Sequence, residues 1–166
     1  MCGIYRSYHS YHYNKNLNEE YYHINYKKEG EYNKYDINGK NIKKCNYINN
    51  ILNGYYMENI NKRYIFTTNY DYGILNNNFE INDSYYKYIG KYENNIMLYY
   101  NKYLLNNLNI LLEKVYLNKD DKITYTTDIY YYGTNIIHKK YIIIITDMLY
   151  PLNIILNGSY KEYDKN

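Results

Sequence analysis

Cysteine is scarce in this chain, and Cys2 and Cys45 are its only two. Two are too few for a disulfide framework or a cysteine-based metal site, and a lone pair fits a reducing compartment. Proline occurs once, at Pro151, so no proline-rich linker divides the sequence, and a single domain over 1–166 is the expectation at this length. Tryptophan, alanine and glutamine are absent, and Val115 is the only valine. Usage this skewed reads as coding from an A/T-rich gene, and it makes chance matches to short motifs commoner. Long apolar runs are missing as well: Tyr141–Ile145 is far too short to span a bilayer, and the start has no run of signal-peptide length. The expectation is a soluble, cytoplasmic protein with no membrane partner. Charge of one sign is also lacking. The 20 Lys+Arg and 17 Asp+Glu are scattered to a net +3, so no block supplies the basic footprint of a dedicated nucleic-acid binder.

What is present is tyrosine, 31 residues against two phenylalanines, set among Asn, Ile, Lys and Leu. Composition alone does not explain that ratio. Short β-type runs occur at Tyr47–Leu52, Tyr64–Thr68, Ile96–Tyr100, Ile123–Thr127, Lys140–Thr146 and Asn153–Leu156. The first ends at Asn53-Gly54, a dipeptide suited to positive φ, and Asn157-Gly158 before Tyr160–Tyr163 is the clearest hairpin signal. Tyr5–Tyr35 lacks a clear period and reads as irregular surface or an exposed pair of strands. No repeat stands out from the biased background.

Helical spacing is best in Tyr103–Leu117, where Leu104, Leu108, Leu111, Leu112 and Val115 recur at three and four residues. That segment is either a core-facing helix or a strand followed by a loop. Shorter helix candidates are Tyr55–Lys62, Tyr72–Asn78, and Ser84–Ile89 behind Asp83 as a cap. With strands outnumbering helices, the expected class is α+β with layered sheets.

The chemistry-bearing motif is Met1-Cys2-Gly3-Ile4. A cysteine at position two permits removal of Met1, and the freed α-amine, with a reference pKa of about 8, is a base that can activate the thiol. The bland alternative is an ordinary small residue on a terminus. Asn53-Gly54 follows a strand-like run, and Phe66-Thr67-Thr68-Asn69-Tyr70-Asp71 follows in turn. In this order these segments resemble class II glutamine amidotransferases, the N-terminal-nucleophile family whose glutaminase domains occur in glucosamine-phosphate synthase and asparagine synthetase. Gly90–Tyr100, Ile123–Asp128 and the closing segment from Tyr141 resemble the strands and hairpins of that domain.

The resemblance implies a four-layer αββα sandwich of two antiparallel sheets. It implies that Cys2 attacks the amide of glutamine and forms a thioester, with Asn53 and Gly54 holding the oxyanion and Asp71 the substrate ammonium. Glutamine would be the small-molecule substrate, ammonia would pass to a synthase partner subunit or to water, and neither cofactor nor metal is implied. The chain departs from the family in its arginines: Arg6 and Arg63 are the only two, and neither has the context of the carboxylate clamp. Lys27, Lys28, Lys43 and Lys44 are unassigned substitutes.

Two other classes stand beside this one. An RNA- or ribosome-associated protein could stack bases on tyrosine and meet phosphates with dispersed lysine. A non-catalytic structural or interaction protein would use tyrosine as core filler, each buried hydroxyl then needing a partner. His9, His12 and His23 lack a matching acidic or cysteine set for a metal. Ser7, Ser10, Ser84 and Ser159 lack a nucleophile elbow.

Overall fold

Pairs of residues with positive φ set the architecture. The computed structural model describes residues 1–9, 16–119, 123–130 and 137–144. Asn25-Tyr26 (φ 47° and 64°), Asn49-Asn50 (51° and 70°), Tyr72-Gly73 (45° and 83°) and Asn94-Asn95 (49° and 66°) each reverse the chain in two residues. Two positive values in succession define the hairpin turn whose twist matches that of the flanking strands, and asparagine and glycine adopt it most readily.

The chain divides into two compact units, Met1–Ile81 and Asn82–Asn166. The first holds β1 (Cys2–Tyr8), β2 (Leu17–Ile24), β3 (Lys27–Tyr35), β4 (Asn41–Ile48), β5 (Ile51–Ile60), β6 (Tyr64–Asp71), β7 (Ile74–Leu75) and β8 (Asn78–Asn82, its last residue beyond the boundary). From β1 to β6 each strand pairs antiparallel with the next, and β7 pairs with β6. The second unit is likewise an antiparallel meander, of β9 (Tyr86–Glu93), β10 (Ile96–Leu104), β11 (Asn107–Lys119), β12 (Ile123–Tyr130) and β13 (Ile137–Ile144).

The core of each unit lies along one face of its sheet. In the first, one row of registered residues runs Tyr5, Tyr21, Tyr32, Cys45, Tyr56, Thr68 from β1 to β6. From Tyr32 onward large and small side chains alternate in this row, and all four residues are buried. A ring beside a thiol or a hydroxyl fills the face without two rings competing for one space, so packing stays dense. In the second unit Gly90, Tyr100 and Val115 repeat the small, large, small order and are buried.

This architecture overturns the expected αββα sandwich and with it the class II glutamine amidotransferase resemblance. The described residues contain strands and turns and no helix, and each unit holds a single antiparallel meander instead of two sheets between helical layers. Tyr103–Leu117 forms the end of β10, a turn at Leu105-Asn106 and most of β11. Leucines spaced at three and four residues are accommodated here in a strand pair whose register slips twice, at Lys102/Tyr103 and at Tyr103/Leu104. Bulges insert extra residues and break the two-residue alternation of a strand.

Tyr55–Lys62 lies largely in β5, and Tyr72–Asn78 spans a turn, β7 and the start of β8. Asp83 does cap, its Oδ1 accepting the N–H groups of Tyr85 and Tyr86 at 2.7 Å each, but the chain then enters β9. The same short carboxylate serves turns and helix starts alike. The expected runs at 64–68, 96–100 and 123–127 lie in β6, β10 and β12, and Lys140–Ile144 lies in β13. The hairpin expected around Asn157-Gly158 lies outside the described residues.

Candidate functional site

The turn edge of the first unit is built by docking each hairpin on the one before. Asn50 N–H donates to the Lys28 carbonyl at 3.0 Å, and Gly73 N–H donates to the Leu52 carbonyl at 2.7 Å. Asn49 N–H donates to Glu29 Oε2 at 2.9 Å, and Tyr72 N–H to Asn53 Oδ1 at 3.1 Å. Lys28 and Leu52 hold the same place after their turns, as do Glu29 and Asn53, so the two junctions are copies of one design. A Cβ placed on Gly73 would meet Ile51 Cγ2 at 3.3 Å, which shows how closely the third turn rests on the second.

These turns hold apolar side chains out toward solvent. Tyr26 is 82% exposed and Tyr72 62%, and Ile24, Ile51 and Ile74 are exposed beside them. Single exposed apolar residues are ordinary, whereas a series along one fixed edge is the usual mark of a contact surface.

The buried rows of the two units carry polar chemistry of the opposite kind, in which the hydroxyls of Tyr32, Tyr56 and Tyr100 are used internally. Tyr32 Oη donates to Glu19 Oε2 at 2.7 Å, Tyr56 Oη to Glu58 Oε2 at 2.5 Å and Tyr100 Oη to Glu113 Oε1 at 2.9 Å. Lysines lie against the same rings. Lys28 Nζ sits 4.7, 4.4 and 5.3 Å from the ring centres of Tyr21, Tyr32 and Tyr47. Lys43 Nζ sits 4.8 Å from Tyr56 and pairs with Glu58 at 3.6 Å. Such ring contacts are worth about 0.5–1 kcal/mol at exposed sites and more when desolvated. Burial, followed by the Glu58 hydrogen bond, drives the Tyr56 phenol far above its ordinary value; burial and Glu19 do the same to Tyr32. Burial pushes Tyr47 up to about 12 and also raises the Cys45 thiol. These groups stay neutral and packed at physiological pH.

The residues singled out in the sequence fall in two places. Asn53, Gly54 and Asp71 gather at the third turn: Gly54 is registered with Tyr70, and Asn53 Oδ1 holds the N–H that follows Asp71. Asn53 is therefore engaged as a turn acceptor, and Gly54 (φ 84°) forms the bulge that offsets β5 from β4. Cys2 lies exposed on β1, registered with Ile24, and its thiol raises the neighbouring Tyr22 phenol. Strands β2, β3 and β4 separate β1 from β5, which puts Cys2 about 19 Å across the sheet from Asn53 at the usual strand spacing. Cys2 does not converge with the other three.

Of the lysines considered for a carboxylate clamp, Lys28 and Lys43 lie on tyrosine rings and Lys44 pairs with Glu31 at 2.9 Å. His9 Nε2 lies 3.0 Å from the Tyr35 carbonyl, and His23 stacks on Tyr26. No cluster of three His, Cys, Asp or Glu able to hold a metal is present among the described residues. The turn-edge residues escaped sequence reading because their repeated places are occupied by different residue types. The available signal was the recurrence of Ile-Asn-Tyr, Ile-Asn-Asn and Asp-Tyr-Gly before a buried aromatic at Tyr32, Tyr56 and Phe79.

Comparison with known proteins finds no matching family model and no matching curated sequence. Fold and surface together define the first unit as a β-meander of stacked hairpins with an apolar turn edge. No helix among the described residues is long and apolar enough to cross a membrane.

Proposed function

We propose that the chain is a non-catalytic interaction protein that binds a protein partner through the turn edge of its first unit. The observation that carries this reading is the contrast between the two sets of side chains. The apolar groups at Tyr26, Ile51, Tyr72 and Ile74 are presented to solvent on turns that are hydrogen-bonded to one another, while the tyrosine, glutamate and lysine groups of the row are spent on packing. A pre-ordered apolar edge loses little conformational entropy on binding, and tyrosine is favoured at such contacts because it combines apolar area with a polar tip.

The test compares the full chain with a Tyr26→Ser/Ile51→Thr/Tyr72→Ser variant, each isolated by cross-linking from its native cell. The expected result is a recurring set of cross-linked proteins that the variant loses while its unfolding midpoint stays close to wild type. An unchanged set of cross-links in a folded variant overturns the reading. Recovery of RNA in place of protein, with salt-dependent binding, favours the nucleic-acid alternative.

A further inference from the structure

Strand β1 ends the order of the first sheet, with β2 on one side and no strand on the other among the described residues. Its backbone polarity can be assigned from one bond: the Met1 carbonyl accepts from Asn25 N–H at 2.7 Å. Antiparallel pairs alternate, so Gly3, Tyr5 and Ser7 direct their N–H and C=O groups to β2, and Cys2, Ile4 and Arg6 direct theirs outward. Proteins usually guard such an edge with proline, a bulge or unpaired charge. From Cys2 to Ser7 the register is regular, there is no proline, and the one charge, Arg6, is paired with Glu20.

We propose that this edge pairs antiparallel with β1 of a second copy of the chain, centred on Tyr5. That register overlaps β1 over its whole length and places the outward groups of Ile4 opposite those of Arg6 of the second copy, as a ladder requires. It sets Gly3 opposite Ser7, and it keeps the two Arg6 side chains from facing each other. It also brings the two Tyr5 rings together at a position where side chains approach most closely. Tyr5 already stacks on Tyr21 (centroids 4.8 Å apart, planes at 27°) and Tyr21 on Tyr32 (5.9 Å, 28°), so the second copy extends the stack in mirror order. Self-pairing also covers Ile4, Tyr5 and Tyr8, which are 59%, 41% and 55% exposed. This inference uses a different surface from the turn edge and stands or falls separately from it.

Sedimentation of the full chain over a concentration series tests it, with Ile4→Pro as the diagnostic variant. Ile4 N–H faces outward, so proline there removes an edge donor and leaves the β2 ladder intact. Wild type is expected to shift from monomer to dimer with concentration, and Ile4→Pro to remain monomer with unchanged circular dichroism. The register is read by mild oxidation of two cysteine variants in a Cys2→Ser background, Cys45 being buried. Tyr5→Cys is expected to form a disulfide dimer and Ile4→Cys to form none. A wild type that stays monomeric, an Ile4→Pro variant that dimerises normally, or cross-linking through Ile4→Cys instead of Tyr5→Cys overturns the proposal. Should Ile4→Pro fail to fold, the cysteine pair decides alone.

Discussion

A phenol in a sheet core needs an acceptor, and here three of them find glutamate. Tyr32 and Tyr56 in the first unit and Tyr100 in the second each place a ring in the buried row of their own sheet and a hydroxyl on Glu19, Glu58 or Glu113. Phenylalanine could fill the same volume but would leave the carboxylate without that donor, which gives tyrosine a structural use in a chain with only two phenylalanines. Tyrosine as core filler was legible from composition, along with the need for a hydroxyl partner. The identity of the partner was not, because Glu19 and Glu113 reach their tyrosines from neighbouring strands, and strand register is not a local property.

The raised phenols also fix the pH dependence. Native Tyr32, Tyr47 and Tyr56 titrate above the ordinary value of about 10 found in an unfolded chain. Above that value the unfolded state loses protons that the native state keeps, so the stabilisation is complete below about pH 10 and is lost as pH rises toward the native values. Urea midpoints are expected to be flat from neutral pH to about 8.5, to dip slightly above it as the unfolded chain loses the thiol proton that buried Cys45 keeps, and to fall steeply beyond the ordinary phenol value, tyrosinate absorbance rising with unfolding. Tyr56→Phe should lower stability at neutral pH by about 1 kcal/mol, the scale of a hydrogen bond, and flatten the alkaline fall. An alkaline slope identical in the two proteins would sink the assignment to Tyr56.

At the scale of the element, the turns carry the information and the local sequence only half discloses it. Asn53-Gly54 reads as a hairpin turn, yet the reversal is made by Asn49-Asn50, and Gly54 provides the bulge after it. In a chain so rich in asparagine either pair can supply positive φ, and the choice is made by docking: Asn50 Oδ1 also accepts the Lys28 N–H, at 2.6 Å. The failed helix at Tyr103–Leu117 has the same origin, since paired-strand slips cannot be seen in one strand. Gly54 and Asn50 separate two kinds of cost. The nearest atom to a Cβ on Gly54 is Asn46 Nδ2 at 3.7 Å, so Gly54→Ala meets no clash and its penalty is the left-handed backbone alone, about 1–2 kcal/mol. Asn50→Ala adds the lost acceptor to a similar penalty and should cost about 2–3 kcal/mol. Urea unfolding checks both, and a neutral Gly54→Ala would mean that β5 does not hold that conformation.

At the scale of the molecule, order along the chain becomes order across the sheet. A meander keeps sequence neighbours as spatial neighbours, which is why Cys2 and Asn53, correctly ordered for a glutaminase pattern, are kept apart by β2, β3 and β4. Bringing them to one cleft requires a fold in which distant segments cross over, and nothing in the local pattern of Cys2, Asn53 and Asp71 distinguishes the two cases. The repeat itself was hidden for a related reason: Lys28 and Leu52, or Glu29 and Asn53, hold matched positions through backbone and acceptor atoms that unlike side chains share.

Stability in stacked units approximates a sum of each unit and its contacts with its neighbours, so a terminal element opens first. Among the described residues strand β1 has one neighbour and its side chains are largely exposed, whereas β4, β5 and β6 have neighbours on both sides and contribute Cys45, Tyr56, Phe66 and Thr68 to the core. At concentrations where the chain is monomeric, amide exchange should be fastest in β1, slower in β2 and slowest in β4 to β6, with the Asn50 and Gly73 amides protected although they lie in turns. Hydrogen exchange resolved to short peptides measures this gradient directly. Equal protection from β1 to β6 would show that the first unit opens as a whole, and fast exchange at Asn50 and Gly73 would show that the hairpins are not docked on one another.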